Sequence, residues 1–454
     1  MLPQITRQNV TEPTQLALTA ALSAAIAAKM PTVIHLGEAA AEKLLPDWTP
    51  EFLKKHVHEL TGVYESLGAY PRFGPYHDVN RPLARALRLQ PLHNYTEVAK
   101  PMSTTAFFTP AQAQQPKHRY YSGETYRLPP AMQDTLQPLE RSLIAHGPSH
   151  ASVNLWLGRW PVVAPCHYDG YHNAVAQLSG KKQFVLAPPS AWRQVRAYPF
   201  LHPSHAQCQV GLDQTDDAEL AAQGGRRITL SRGDVLYLPP LWFHEATALD
   251  LDGAVGINGW VDSEEGQAAA ELFEMPRPAK RGAKRGHGSS SAGVAATAAT
   301  MMTSVDAGGG VVNGPEDAET PFASAASLVL LLSEATLGLP ALLVRRVWEE
   351  RYAALITSGS LPGARGAGGA ALVECGMIRS WRAHWAMRED AQEWASAAAR
   401  LAGARFSDAS RGLWLANLAE YVAAERVGLQ AVGGFWRELH GCLVEDAQKL
   451  PEPE

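Results

Sequence analysis

The chain has few cysteines, no long hydrophobic run and no excess of charge of either sign. Its four cysteines, Cys166, Cys208, Cys375 and Cys442, lack CxxC spacing, so they form no zinc-finger pattern, and free thiols in a reducing compartment are expected. Forty basic residues against forty-five acidic ones give a net charge of −5, which argues against a protein that coats nucleic acid.

The most apolar stretches of the sequence are too short to cross a membrane. "LALTAALSAAIAA" and "LVLLL" fall well below the ~18–20 residues that a membrane-spanning helix needs. The first stretch also carries little positive charge and runs into the strand-like "PTVIHLG", so we expect no organelle transit peptide. We therefore expect a soluble protein of the cytoplasm, the nucleus or both, with no membrane partner.

The overall composition is that of an ordinary globular protein. The 454 residues are 46% hydrophobic and 19% charged, enough for two or three domains. After Met275 small residues replace large hydrophobic ones, so residues 276–321 are predicted to be a disordered linker. The basic start of this stretch, from Arg277 to Arg285, is either solvated linker, a nuclear signal or a patch that contacts RNA.

The segments on either side of this linker differ in pattern. Residues 322–454 are predicted to be helical: Trp414, Leu418 and Val422 share one helical face, and Asp408 is a plausible helix cap. Helix packing or formation of a homodimer is the simplest role for this segment. Before the linker, "TPEFLKKHVHEL" predicts a helix that begins at Thr49.

Short β-type runs dominate the sequence from Ser152 onward. Gly, Pro, Asp and Ser separate these runs, as is typical of an antiparallel sandwich or barrel. The runs are "SVNLWLG", "HYD", "NAVAQLSG", "KQFVLAP", "RITLSRGDVLYLP", "FHEATAL" and "AVGINGWV".

The stretch "APCHYDGYHNAVAQLSGKKQFVLAPPS" carries the first candidate site residues. A strand through "CHYD" would place His167 and Asp169 on one face and Tyr168 on the other, because alternate residues of a strand share a face. Two histidines and one carboxylate with open positions are the ligand set of non-haem Fe(II) oxygenases. His244, in "GDVLYLPPLWFHEATAL", is the candidate second histidine. Considered alone, it could equally be a core histidine among aromatic residues.

Lys182 is the next candidate. It alternates with Phe184 and Leu186 in an apolar strand, and a buried lysine is rare unless it is paired. An inward Lys182 therefore needs an anion, such as the far carboxylate of a dicarboxylate co-substrate. In the alternative interpretation, Lys181 and Lys182 both belong to a "SGKK" hairpin turn.

"HYDGYHNAVAQLSGKKQFVLAPP", "GDVLYLPPLWFHEATAL" and "GINGW" together resemble the JmjC, cupin-like family of Fe(II)- and 2-oxoglutarate-dependent oxygenases. The likeness extends from about Pro31 to about Asp262. It is strongest to the small hydroxylases: the lysyl hydroxylase, the asparaginyl hydroxylase that inhibits the hypoxia-inducible factor, and the tRNA wybutosine hydroxylase.

The resemblance implies roles for individual residues. His167, Asp169 and His244 would be the catalytic, iron-binding residues, and Lys182 would bind the distal carboxylate of 2-oxoglutarate. Three further positions match polar contacts of the family: Asn173 and Asn258, near the co-substrate or metal, and Tyr121, with Tyr120 as its alternative, in "HRYYSGETY".

One position departs from the family pattern. Many relatives carry Thr or Ser where this chain has Ala164, so Tyr121 or Asn154 would have to replace the missing hydroxyl contact. His172, five residues after His167 on an extended strand, is expected to face away from the metal. Trp260 is expected either in the core or in the pocket wall.

The implied fold is mostly β with helices: a double-stranded β-helix (a jelly-roll, cupin-like barrel) with an N-terminal α/β flank and a separate α-helical C-terminal segment. The oxygenase domain is expected at residues 1–275, with its barrel core at about 119–262. The implied activity is that of a dioxygenase that uses Fe(II), 2-oxoglutarate and O2 to hydroxylate a protein side chain, releasing succinate and CO2. The alternatives are a tRNA-base hydroxylase of the wybutosine type, a histone lysine demethylase and a non-catalytic cupin-fold binding protein.

Overall fold

A computed structural model of the protein describes residues 6–66, 71–74, 82–88, 95–98, 100–110, 117–145, 151–278, 321–338, 340–361 and 389–447. Most of the predicted linker, residues 279–320, lies outside these described residues. The chain divides into two compact units. The first comprises residues 1–76, 92–195 and 206–267, and the second comprises residues 77–91, 196–205 and 268–454. The predicted domain boundaries stay predictions.

The described residues contain fifteen strands, most of them in the first unit's second half, where the β-type runs were predicted. They are β1 (Thr6–Val10), β2 (Thr32–Leu36), β3 (Glu59–Leu60), β4 (Tyr64–Ser66), β5 (Tyr95–Glu97), β6 (Met102–Ser103), β7 (Arg119–Glu124), β8 (Ala151–Gly158), β9 (Val163–His167), β10 (His172–Ser179), β11 (Lys182–Ala187), β12 (Arg226–Leu230), β13 (Asp234–Leu238), β14 (Phe243–Ala248) and β15 (Ala254–Val261).

These strands form two principal sheets. The large sheet has nine strands in the order β1-β2-β13-β10-β15-β8-β7-β4-β5, and the small sheet has four in the order β12-β11-β14-β9. All the pairings in the two sheets are antiparallel except β1 with β2. Gly180, at φ +66°, lies in the "SGKK" turn between β10 and β11. The two strands belong to different sheets, so this turn links the sheets and the predicted hairpin is not formed.

Side-chain alternation along the large sheet creates two separate hydrophobic cores. On β13, Val235 and Tyr237 face a core that includes Leu18 and Leu136, from the helices on that side. Leu236 and Leu238 face the opposite way, into a second core shared with residues of the small sheet. The candidate site residues lie on this second side of the sheet. Strand β13 therefore packs against the helices with one face and against the core beside the site with the other.

The helices of the first unit are mostly short. They span Gln15–Ala28, Glu38–Leu44, Pro50–His56, Thr104–Phe108, Pro130–Ile144 and Asp217–Ala222, and Glu264–Glu274 runs on into the second unit. The predicted start at Thr49 is confirmed: its side chain accepts a hydrogen bond from the backbone N–H of Phe52, three residues later, and caps the helix.

Apart from residues 196–205, which form turns, the described residues of the second unit are mostly helical. Its helices span Pro82–Leu87, Pro321–Leu337, Pro340–Val347, Ala353–Thr357, Glu389–Arg405, Asp408–Val427 and Val432–Ala447, and a π-helical turn spans Trp348–Tyr352. Ser407, and not Asp408 as predicted, caps its helix by accepting from the N–H of Ser410. Both residue types are good caps, so the sequence alone cannot choose between neighbours. No single described helix is long and apolar enough to cross a membrane, although the bent pair Pro321–Leu337 and Pro340–Thr357 meets that criterion when taken together.

Strand β9 lies at one end of the small sheet, and two irregular segments cover its outer edge. Residues 71–73 exchange backbone hydrogen bonds with Val163, and residues 206–208 bond to Cys166 and Tyr168. Cys166 and Cys208 form a disulfide bond, with the two sulfurs 2.07 Å apart. The prediction of free thiols is therefore wrong for this pair. The reason is that backbone pairing brings together two cysteines that are 42 residues apart in the sequence, which their spacing could not indicate.

Candidate metal centre

His167, Asp169 and His244 come together between the two sheets. One potential ligand atom from each side chain lies within 4.8 Å of the other two. His244 Nε2 is 3.7 Å from Asp169 Oδ2, and the two imidazole centroids are 4.2 Å apart. The juxtaposition predicted from the sequence is present, but its predicted cause is wrong for Asp169. Strand β9 ends at His167, and Asp169 lies in the following turn, where its carbonyl accepts from the N–H of Leu241.

Both histidines are held by the same kind of backbone hydrogen bond. Nδ1 of His167 lies 2.7 Å from the carbonyl oxygen of Pro165, and Nδ1 of His244 lies 3.0 Å from that of Trp242. Since a carbonyl oxygen only accepts, each Nδ1 carries the proton. In a neutral imidazole held in this way, Nε2 is the nitrogen that offers its lone pair, as is usual for metal-binding histidines.

The charge state of His244 also suits a ligand. Burial and the neighbouring His167 together lower the pKa of His244 to about 4, against the opposing effect of the Asp169 carboxylate. The imidazole is therefore neutral at pH 7, which is the form that binds a metal. Two neutral imidazole nitrogens and one carboxylate oxygen fit an Fe(II) ion with open coordination positions.

The cleft beside these residues combines apolar walls with a single lysine. Lys182 is 6% exposed, and burial lowers the pKa of its ammonium group to about 8. Within the described residues, no carboxylate lies within ion-pair distance of Lys182. A buried cation without a partner favours an anionic ligand. The cleft is lined by Tyr120, Trp156, Ala164, His167, Asp169, Asn173, Val175, Lys182, Phe184, His244, Ala246, Gly256, Asn258 and Trp260.

The tyrosine of the cleft is Tyr120, and the choice of Tyr121 is wrong. Tyr121 lies opposite Leu157 in the core that faces the helices, and its hydroxyl packs against Gly123. Tyr120 lies on the other face of β7 and reaches the cleft. Burial raises the pKa of Tyr120, and the negative charge of Asp169 raises it further, so its phenol keeps its proton.

The remaining predicted residues divide between the cleft and its surroundings. Asn173 and Asn258 line the cleft, and Asn173 Nδ2 donates to Asp169 Oδ2 at 3.2 Å. Neither Tyr121 nor Asn154, the two residues expected to compensate for Ala164, is among the residues that line the cleft. His172 Nδ1 is 2.8 Å from the hydroxyl of Tyr237, outside the metal-binding group.

Trp260 proves to be part of the cleft wall, and its indole N–H donates to Asp169 Oδ2 at 3.1 Å. Sequence reasoning missed Trp156, which also lines the cleft. Alternation within "SVNLWLG" places Trp156 on one face and the core residues Leu155 and Leu157 on the other, and this pattern could have indicated it.

A buried ion cluster, also missed, lies directly beside His244 in the sequence. The Glu245 side chain is 0% exposed, and Arg72 Nη1 donates to its Oε2 at 2.6 Å. The backbone N–H of Asp213 donates to Glu245 Oε1 at 3.0 Å. Burial raises the pKa of Glu245, and the Arg72 guanidinium opposes that rise. This cluster ties two irregular segments to β14, the strand that carries His244.

Arg72→Met is therefore expected to lower the free energy of unfolding by about 3 kcal/mol, because it leaves a buried carboxylate without its cation. Urea unfolding at pH 7 measures the change. Arg127→Met is the matched control, since Arg127 pairs with Glu124 at an exposed position, and it should cost at most about 0.5 kcal/mol. Equal losses in the two variants would contradict the assignment of Arg72 as a buried partner.

Comparison with known proteins identifies the region that carries this site. Residues 76–267 match the family model described as a cupin-like domain. A bifunctional peptidase and (3S)-lysyl hydroxylase from Homo sapiens, JMJD7, is 29% identical over 191 residues, covering 36% of this chain and 60% of that protein. This region is a cupin-like JmjC domain. Its large, mostly antiparallel sheets agree with the predicted jelly-roll fold, and JmjC enzymes use Fe(II) and 2-oxoglutarate.

Other proteins similar to this domain are named for a different activity or for a partner protein. Lysine-specific demethylase JMJ31 from Arabidopsis thaliana is 30% identical over 132 residues, covering 28% of this chain and 24% of that protein. HSPB1-associated protein 1 from Mus musculus is 32% identical over 126 residues, covering 25% of each chain. The chain thus spans between about a quarter and three fifths of the length of these relatives.

Proposed function

We propose that the chain is an Fe(II)- and 2-oxoglutarate-dependent oxygenase that hydroxylates a side chain of a protein substrate. The observation that carries the proposal is the combination, in one cleft, of two histidines, one carboxylate and a buried, unpaired lysine. The lysyl hydroxylase among the similar proteins supports hydroxylation as the reaction. The predicted tRNA alternative, the homodimer and the cytoplasmic or nuclear location stay predictions.

In this proposal the residues of the cleft have different roles. His167, Asp169 and His244 would hold the iron, which supplies O2 activation when bound. Lys182 would pair with the distal carboxylate of 2-oxoglutarate, and Tyr120, protonated at neutral pH, is placed in the same cleft as a neutral hydrogen-bond donor. The apolar side chains of Val175 and Phe184 exclude water from the co-substrate.

The overall reaction balances without any further reductant. One oxygen atom of O2 enters a C–H bond of the substrate, and the other enters the succinate that forms as 2-oxoglutarate loses CO2. Substrate, 2-oxoglutarate and O2 thus give hydroxylated substrate, succinate and CO2.

The first test is succinate release by the purified chain with Fe(II), ascorbate and 2-oxoglutarate. Release that depends on both Fe(II) and 2-oxoglutarate supports the oxygenase, whereas its absence, with and without protein extract, supports a non-catalytic binding protein. Incubation with extract, followed by mass spectrometry of peptides and nucleosides for the gain of one oxygen atom, then identifies the substrate class.

Demethylation is the second candidate, because lysine-specific demethylases are among the similar proteins. Hydroxylation of an N-methyl group releases formaldehyde, whereas hydroxylation of a carbon of the side chain leaves the oxygen on the peptide. Formaldehyde release from methylated lysine peptides, without a stable oxygenated product, would favour the demethylase.

The lowered pKa of Lys182 predicts a pH dependence of co-substrate binding. Below pH 8 the lysine is an ammonium that can pair with a carboxylate, and above pH 8 the free protein carries a neutral amine. The dissociation constant for 2-oxoglutarate should therefore rise as the pH rises through about 8, approaching tenfold per pH unit. Calorimetric titration between pH 6.5 and 9.5 measures this. Lys182→Arg, which stays charged, should show a flat profile, and a flat wild-type profile would contradict the prediction.

A further inference from the structure

A line of hydrogen bonds crosses three neighbouring strands of the large sheet and ends at Asp169. Trp156 Nε1, on β8, donates to Asn258 Oδ1, on β15, at 2.6 Å. Asn258 Nδ2 donates to Asn173 Oδ1, on β10, at 3.0 Å, and Asn173 Nδ2 donates to Asp169 Oδ2 at 3.2 Å. We call these four residues the indole–amide chain.

The direction of the indole–amide chain is set at its start. An indole N–H can only donate, so Asn258 must present its oxygen to Trp156 and its NH2 group to the next residue. Asn173 must then present its own oxygen to Asn258, which leaves its NH2 group for Asp169. Without Trp156, either amide could turn over, and a turned Asn173 would place its oxygen against the carboxylate.

Asp169 is the ligand candidate that most needs such support. His167 and His244 lie on strands and are fixed by backbone carbonyls, whereas Asp169 lies in a turn. Two N–H groups reach its Oδ2: that of Asn173 and the indole N–H of Trp260 at 3.1 Å. Asn173 and Trp260 are directly opposite each other on β10 and β15, so the sheet register brings both donors to one oxygen.

We propose that Trp156 is a positioning residue for the metal ligand Asp169, acting through Asn258 and Asn173. The proposal rests on the proposed function, because it takes His167, Asp169 and His244 as the metal ligands. Its consequence is that a side chain three hydrogen bonds away from the carboxylate controls the affinity and geometry of the metal site.

Trp156→Phe tests the proposal with little change in packing. Phe keeps a ring beside Tyr120 and Trp260, whose centroids each lie 5.8 Å from that of Trp156, and removes the donor. Outer residues of metal sites contribute roughly 10–100-fold in metal affinity. We expect Mn(II), titrated into the metal-free full-length protein, to bind about tenfold more weakly to this variant. The Co(II) absorption bands, which report ligand geometry, should also shift.

Trp160→Phe is the matched control, since Trp160 is 53% exposed and its replacement should leave both readouts unchanged. If Trp156→Phe does not fold, as judged by circular dichroism, Asn258→Leu is the second test. It interrupts the indole–amide chain at the next hydrogen-bonded residue, and the same loss of Mn(II) affinity is expected. Mn(II) affinity within twofold of wild type, with an unchanged Co(II) spectrum, would overturn the positioning role alone. A wild-type protein that binds neither metal would overturn the metal site and the positioning role together.

Discussion

Asp169→Ala is expected to abolish succinate release while leaving the fold intact. The alanine removes the only anionic member of the group His167, Asp169 and His244, and two imidazoles alone cannot keep the three-ligand geometry. Mn(II) affinity should fall by more than about 100-fold, since even residues outside the ligand set contribute roughly 10–100-fold. Succinate assays and calorimetric Mn(II) titration measure the two effects.

The matched control for this substitution is Asp134→Ala. Asp134 is exposed on the helix Pro130–Ile144, so its loss should change neither turnover nor metal binding. Circular dichroism would show whether both variants keep the wild-type secondary structure. Succinate release by a folded Asp169→Ala protein at near the wild-type rate would show that Asp169 is not a ligand.

Lys182→Met is expected to raise the Michaelis constant for 2-oxoglutarate by about 10²–10³-fold. Methionine fills similar space but leaves the distal carboxylate of the co-substrate buried without a cation, and removal of one member of a buried ion pair costs ~3–5 kcal/mol. Mn(II) affinity measured without 2-oxoglutarate should hardly change, because no ligand is lost. Kinetics at varied 2-oxoglutarate concentration measure the first quantity and calorimetry the second.

Lys181→Met is the matched control, because Lys181 directly precedes Lys182 in the turn between β10 and β11. Lys181 is exposed, and its backbone N–H bonds to the carboxylate of Asp250, an interaction that the substitution keeps. The Michaelis constant of the Lys181→Met variant for 2-oxoglutarate should match that of the wild type. Small, equal effects of the two substitutions would make Lys182 a turn residue and remove the main support for 2-oxoglutarate.

The parts of the site that the sequence predicts well depend on local pattern. His167 is the last residue of β9, and His244 lies near the start of β14. Lys182 alternates with Phe184 in the apolar strand β11, which predicts that the side chains on this face of the strand are buried. Period-two alternation is a property of each strand by itself. The strands β8 and β10 to β15 were therefore predictable, and so was the face on which Lys182 lies, whereas the predicted run "HYD" overlaps β9 only at His167.

The predictions that were wrong concern features that depend on how distant segments of the chain pair with each other. "RYYS" makes Tyr120 and Tyr121 face opposite ways, but only the pairing of β7 with β8, which places Tyr121 opposite Leu157, decides which one meets the cleft. The same holds for the disulfide bond between Cys166 and Cys208, which depends on a bridge formed by an irregular segment. Neither register nor irregular pairing leaves a periodic signal in one sequence.

Polar networks were missed for a related reason. Glu245 directly follows His244 in the sequence, but the residue that pairs with its buried carboxylate, Arg72, lies 173 residues earlier. The sequence analysis assigned Trp156 no role, because its donor function appears only when β15 lies beside β8. Long-range pairing of donors and acceptors is set by the tertiary fold.

The covered edge of β9 limits how a protein substrate can approach. An open strand edge invites a peptide to add as a further strand, and it also invites aggregation. Here the N–H and carbonyl of Val163 are already bonded to residues 71–73, and Pro165 has no N–H to offer. Residues 206–208 occupy the carbonyl of Cys166 and the N–H of Tyr168. A polypeptide therefore cannot add to the small sheet as a further strand beside His167, so a substrate of the proposed oxygenase would have to reach the cleft without pairing to β9.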